Sequence, residues 1–255
     1  MVIEIIFDVA NFRHLKKKAG IIPDEFKDVI DSEKLLKHDL YNSEKMKFEL
    51  FSGVISNIIS LFFLFSPLFP FYVELINNIP VPFILKGIFF FLILIIISDI
   101  SALPFSFYFH FKIEEKYGFN KYTVNTFLID KVKSMIISSL ILTIILCIIL
   151  TLSGNSVQFK WIYVFTGWGA LAIFSLILTY LVPILILPFF YKLKPLPDGE
   201  LKNSLNNLIQ KCGVKIKGLY SADESKRSTH ANAAVAGIGK SKKIIIFDTM
   251  LNEKY

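Results

Sequence analysis

Residues 161–191 read WIYVFTGWGALAIFSLILTYLVPILILPFFY and carry no charged side chain. An apolar run longer than roughly 18 residues is the signature of a helix that spans a bilayer, where the backbone must satisfy its own hydrogen bonds. Pro183 and Pro188 predict a bend or an end in its second half, because proline lacks an N–H and clashes with the preceding turn. Three more runs share this character. Residues 50–76 are nearly uncharged until Glu74, residues 81–103 carry Lys86 and Asp99, and residues 132–153 carry only Lys133. Aromatic side chains gather at the ends of the runs, among them Phe69, Tyr72, Phe105, Tyr108, Trp161 and Tyr191, as an interfacial belt requires. With 54% hydrophobic residues and a mean hydropathy of +0.57, the chain falls in the membrane class.

A formal charge of +7 would suit a nucleic-acid partner, but the placement of the charges excludes it. The basic residues lie in three blocks between the apolar runs: nine in 13–47, five in 112–133 and twelve in 192–254, 26 of the 28 Lys and Arg. Four spans put all three blocks on one side of the membrane, which the positive-inside rule makes the cytoplasm. Cys147 lies inside an apolar run and Cys212 at a helix end, so neither a disulfide nor a metal site is expected from them. Met1–Ala10 is apolar but broken by Glu4 and Asp8, and the basic run follows it instead of preceding it, the reverse of a secretory signal. It reads as an interfacial segment or the tail of a cut first span. Residues 11–49 read as a solvated helical linker with a helix start at Pro23-Asp24-Glu25.

Asp99, near one end of the second span, reads either as an interfacial acid or as part of a proton or ion path. Residues 104–131 interleave charges with aromatics, as a loop at a lipid surface does. Within them Glu114-Glu115 beside Lys116 reads as a solvated helix face, with acid/base chemistry the sharper alternative.

Beyond residue 192 the pattern changes. Pro197-Asp198-Gly199-Glu200 opens a helix, Leu201, Leu205, Leu208 and Ile209 recur at helical spacing, and Gly213 stops it. Leu219-Tyr220 suggests a strand. A small-residue run from Ala231 to Gly239, a turn at Lys240-Ser241-Lys242 and the apolar run Ile244–Phe247 then predict a β-hairpin. The small side chains of its first strand would let a second chain approach, so the edge suits an added peptide strand. The fold class is therefore an α-helical integral membrane protein, with about four transmembrane helices (50–76, 81–103, 132–153 and 161–191) followed by the start of a small cytoplasmic α+β domain at 193–255.

Three segments together resemble the type I CAAX prenyl protease family of integral-membrane zinc metalloproteases. They are LPFSFYFHFKIEEKYGFNKYT (Leu103–Thr123), PLPDGELKNSLNNL (Pro195–Leu208) and SKRSTHANAAVAGIGKSKKIIIFDTML (Ser225–Leu251). The resemblance implies zinc-dependent cleavage near the carboxyl terminus of a peptide or membrane-protein substrate. In the family this is classically the removal of the last three residues of a prenylated CAAX sequence, and in many bacterial members it is membrane protein quality control. It implies further that Asn232 holds substrate backbone with His230 beside it, and that the strand containing Ala233 and Ala234 is the edge to which substrate adds. A bacterial inner membrane is the expected location.

One departure governs the mechanism. The family binds zinc through H-E-x-x-H, where two histidines one helical turn apart face one metal and the glutamate activates water. The histidines here are His14, His38, His110 and His230, and none is followed by Glu. The expectation is an amino-terminal portion of the family protein, with residues 1–49 holding a cut first span and residues 193–255 an incomplete metalloprotease domain. Zinc belongs to the complete family protein, none is expected to bind this chain, and no catalytic residue is assigned. The alternatives are a non-catalytic membrane protein that binds peptides or regulates, and a small transporter built around Asp99.

Overall fold

The computed structural model describes residues 2–22, 31–153 and 161–251. The helix start expected at Pro23–Glu25 and the connection expected at Gly154–Lys160 lie outside them. The chain divides into two compact units, residues 1–80 with 94–120 and residues 81–93 with 121–255.

The first unit is helical. Helix α1 (Val2–Lys18) closes on Lys16, Lys17 and Lys18, a favourable place for cations at the negative end of a helix dipole. Helix α2 (Ser32–Phe65) opens on Asp31, whose carboxylate accepts from Glu33 N–H at 2.9 Å, the standard satisfaction of an orphan donor. This helix runs unbroken from residue 32, within the segment expected to be a separate linker, into the apolar run that follows. A working cap and a run of helix formers (Glu33, Lys34, Leu35, Leu36, Lys37) start it at Ser32, whereas hydropathy marks only where lipid contact could begin. The run expected as one span, 50–76, is two helices. Pro67 disfavours helical backbone at Ser66, so α2 stops there and a short helix α3 (Leu68–Asn77) follows.

Helix α4 (Phe83–Tyr108) passes through Pro104 and continues into a π-helical turn at Phe109–Glu114 and a last turn at Glu115–Tyr117. Residues 104–117, expected in a loop, are therefore helical. Gly118 ends the helix in the left-handed region, with φ +80° and its N–H bonded to Glu115 O, the conformation that favours glycine at a helix end.

The second unit contains the other long helices. Helix α5 (Val124–Ser153) starts where the Thr123 hydroxyl accepts from Thr126 N–H at 3.2 Å, eight residues before the span expected from hydropathy. Leu150 of α5 packs against the first part of α4 so closely that a Cβ at Gly87 would lie 2.6 Å from Leu150 Cδ1. Helix α6 (Trp161–Leu181) widens into a π-helical segment at Val182–Ile186 around Pro183 and ends after a final turn, Leu187–Phe190. Four described helices, Ser32–Phe65, Phe83–Tyr117, Val124–Thr151 and Gly167–Phe190, are long and apolar enough to cross a membrane.

A four-stranded mixed sheet completes the unit. Its strands are β1 (Leu193–Pro195), β2 (Gly218–Ala222), β3 (Ala233–Ala236) and β4 (Lys243–Phe247), in the order β1-β2-β4-β3. β1 is antiparallel to β2, β2 is parallel to β4, and β3 is antiparallel to β4 with Ala233 opposite Ile246. The expected hairpin is thus present, and β3 is an outer strand. Helix α7 (Glu200–Lys211) sets Leu205 and Ile209 on a core of Leu196, Leu219 and Ile246, while Leu201 and Leu208 of the same apolar run stay exposed.

Candidate functional site

The hairpin edge is built from residues 228–236. The Ser228 hydroxyl accepts from His230 N–H at 3.1 Å, and Thr249 donates its hydroxyl to His230 O at 2.9 Å. Asn232 O accepts from Phe247 N–H at 3.1 Å. Asn232 and Phe247 are directly opposite in the register that pairs Ala233 with Ile246, so this bond marks a hydrogen-bonded pair. Antiparallel pairing alternates. It follows that Ala234 and Ala236 bond to β4, while the backbone groups of Ala233 and Val235 point to the free edge.

Asn232 takes the first of those outward donors: its Oδ1 accepts from Ala233 N–H at 2.8 Å. Only the carbonyl oxygen of the amide can accept a backbone N–H, so Nδ2 is left as the donor end of the group. His230, Asn232, Ala233 and Ala234 are all exposed, and Val235 is 65% exposed. The four residues singled out in the sequence therefore lie on one continuous, accessible edge.

What the sequence did not single out is the clamp behind that edge. Arg227 is 8% exposed, and its guanidinium donates to Asp130 on α5 (2.7 Å from Nε, 3.4 Å from Nη2), to Phe190 O (2.6 Å) and to Asp223 O (3.3 Å). It lies 4.7 Å from the centroid of the Tyr191 ring, a stacking contact that suits a planar cation. Its own carbonyl accepts from Lys121 N–H at 3.0 Å. Burial pushes the nearby Tyr122 hydroxyl up to about 12, with the Asp130 charge adding to the shift. Burial likewise raises Glu224 above the ordinary glutamate value, against the opposing hydrogen bond from Tyr191. Among the described residues Glu224 Oε2 is buried without a hydrogen-bond partner.

Two more cations finish the end of the last long helix. Lys133 donates to Phe189 O at 3.1 Å, and the buried Lys243 donates to Pro183 O at 2.8 Å. The second bond has a clear cause. In the π-helical segment Leu187 N–H reaches back five residues to Val182 O, so the next donor, for Pro183 O, would be residue 188, and that residue is proline. Lys243 supplies the missing donor. Burial and then repulsion from Lys217 lower its own pKa.

The first unit holds a second polar cluster. Glu114, expected on a solvated face, is 5% exposed and accepts from the Tyr41 hydroxyl. Glu44 accepts from Lys116 (2.6 Å) and Tyr117 (2.7 Å), and Glu115 accepts from Asn120 Nδ2 (2.8 Å). The acid pair is thus split, with one carboxylate buried by a tyrosine from α2 and the other turned to the Gly118 turn.

Residues 11–192 match the family model described as CAAX prenyl protease N-terminal, five membrane helices. The chain belongs to this CAAX prenyl protease family. Residues 195–254 match peptidase family M48. CAAX prenyl protease 1 of Saccharomyces cerevisiae is 35% identical over 244 residues, 91% of this chain and 53% of the yeast protein. The CAAX prenyl protease 1 homolog of Mus musculus is 31% identical over 94% of this chain and 52% of its own length. The crystal structure of S. mikatae Ste24p superposes with a TM-score of 0.80 at 31% identity, covering 99% of this chain and 62% of that one. The chain thus spans about half the length of these curated relatives.

As a member of this family the chain is an integral membrane protein. The relatives named here are eukaryotic, so the expected bacterial inner membrane draws no support from them. Membership in M48 implies zinc in complete proteins. Among the described residues no three His, Cys, Asp or Glu side chains come together as a ligand set.

Proposed function

We propose that this chain supplies the membrane helices and the peptide-accepting edge of a zinc metalloendopeptidase of the CAAX prenyl protease type, and that it does not hydrolyse peptides by itself. The observation that carries this reading is the exposed outer strand β3, entered through Asn232. An extended peptide adds to such an edge by main-chain hydrogen bonds. Asn232 already covers Ala233 N–H, so pairing falls on the outward N–H and C=O of Val235, with Asn232 Nδ2 available to a peptide carbonyl. The substrate we assign is a peptide, or the end of a membrane protein, presented at the bilayer; the names of the relatives favour a prenylated one. Residues 193–255 and the basic segments lie on the cytoplasmic side in this reading, and the lipid bilayer is the second partner.

Binding tests it directly. The 255-residue chain in lipid nanodiscs should bind a fluorescent extended peptide, and both Asn232→Ala and Asn232→Asp should weaken that binding, since each removes the amide donor. Unchanged affinity in the two variants would rule out the edge. Inactivity alone is tested by incubating the purified chain with zinc and a prenylated peptide; chelator-sensitive cleavage would overturn it. A purely non-catalytic, peptide-binding role rests on the same edge and on the absence of H-E-x-x-H from this sequence. Adding in trans only the carboxy-terminal portion of a relative, the part this chain does not cover, separates the two, because only the enzyme reading allows cleavage that neither piece gives alone.

A further inference from the structure

We infer that Arg227 is a positioning residue, which fixes edge strand β3 at a set distance from the end of the last membrane helix so that a peptide anchored in the bilayer meets the edge in register. The inference rests on the peptide-edge reading above, but its geometry stands apart from it. The stretch 227–233 is tied at both ends. At the front, the Arg227 guanidinium joins Asp130 of α5, Phe190 O at the end of the last helix and Asp223 O after β2. At the back, Thr249 holds His230 O and Phe247 N–H holds Asn232 O. Between these ties lie only Ser228, Thr229 and Ala231, so β3 has little freedom to shift relative to the end of the last helix.

The chemistry of the clamp demands arginine. Its fork of N–H donors serves three acceptors at once in a fixed plane while stacking on Tyr191, which a lysine ammonium cannot do. A positive charge at the end of a helix is also favourable in itself, and lysine would keep that. Arg227→Lys therefore preserves charge and removes geometry.

The consequence is an advantage specific to anchored ligands. A peptide whose lipid group sits in the bilayer is held near the edge at a high effective concentration, and that gain disappears when the span between anchor and site is wrong. A soluble peptide of the same sequence needs only the edge.

The test uses the full chain in nanodiscs, two fluorescent peptides of one sequence, with and without a farnesyl group, and a distance measurement. Nitroxides at Ile177 and Val235, in a background where Cys147 and Cys212 are serine, should give one narrow distance distribution that broadens in Arg227→Lys. The variant should bind the soluble peptide within about twofold of wild type and lose about tenfold or more of the farnesyl advantage. Should Arg227→Lys fail to fold, Asp130→Asn removes the paired charge with the side-chain shape retained and should behave alike. An unchanged distance distribution, or an equal loss for both peptides, overturns the inference. If neither peptide binds the wild type, the functional reading is what fails, and the distance measurement still decides whether Arg227 positions the strand.

Discussion

Arg227 and Asp130 are 97 positions apart in the chain, and Arg227 Nε lies 2.7 Å from Asp130 Oδ2 with only 9% and 12% of the two side chains exposed. A pair this shielded is dear to break and cheap to replace. Removing one partner leaves the other desolvated and uncompensated, a loss on the order of 3–5 kcal/mol, whereas apolar replacement of both is often near neutral. Asp130→Ala should therefore lower the thermal midpoint sharply, and Asp130→Leu with Arg227→Met should be less damaging than the sum of the single changes. The residual loss in the double variant measures the other bonds of Arg227, chiefly that to Phe190 O. Additive losses in a thermal melt would show that the pair is not coupled.

Lys243 and Pro188 should be coupled through a carbonyl that belongs to neither. Lys243→Met leaves Pro183 O without a donor, at a cost of about 1–3 kcal/mol. Pro188→Ala restores an N–H at the position that would reach back five residues to that oxygen. The double variant should recover much of what Lys243→Met loses, and the check is a double-mutant cycle of unfolding free energies. No recovery would mean that Lys243 acts through its packing on Tyr220, whose ring centroid is 5.1 Å from Nζ.

Val235 and Ala234 should respond in opposite ways to proline. Val235 turns its N–H to the open edge, so Val235→Pro should leave the melt nearly unchanged and abolish peptide addition. Ala234→Pro removes a ladder bond to β4 and should destabilise the sheet. Peptide binding by titration and stability by melting, taken together, would expose a wrong register if the two effects were exchanged.

Glu224 gives a pH dependence with a definite sign. Burial raises its folded pKa above 4.5, so the folded protein holds the proton more tightly than the unfolded chain. The stability this contributes is full below pH 4.5 and is lost as pH rises through the raised value. Glu224→Gln removes the loss, so the variant should gain on wild type as pH rises from 4.5 through the raised value. Parallel stability curves for the two proteins would count against a buried carboxyl at this position.

The hairpin was legible because its two signals are local: small residues at 231–239, then a turn and an apolar run. The apolar spans were legible for the same reason, since composition alone carries them. Their ends were not. Asp130 and Lys131 read as loop by hydropathy, yet they lie in the early turns of α5, because a helix begins at its cap and not where charge ceases. β1 is three residues ending in Pro195, too short to announce itself, and exists through its pairing with β2. Arg227 sits in a stretch that otherwise reads as polar coil, and its partners at 130, 190 and 223 come from separate elements that only the folded chain brings together. Asn232 was singled out by resemblance, and its bond to Ala233 N–H is a feature that only the folded edge shows.

Arg227 and Lys243, two of the three cations at the end of the last span, also set an order of assembly. Pro183 and Phe190 are translated before Arg227 and Lys243, so until those two side chains are in place the two carbonyls lack their final donors. The membrane segment is thus finished by residues translated some forty to sixty positions later. Its closing turn gains its final bonds only when β4 has emerged and paired, which makes late synthesis of the sheet a step in the maturation of the membrane part itself.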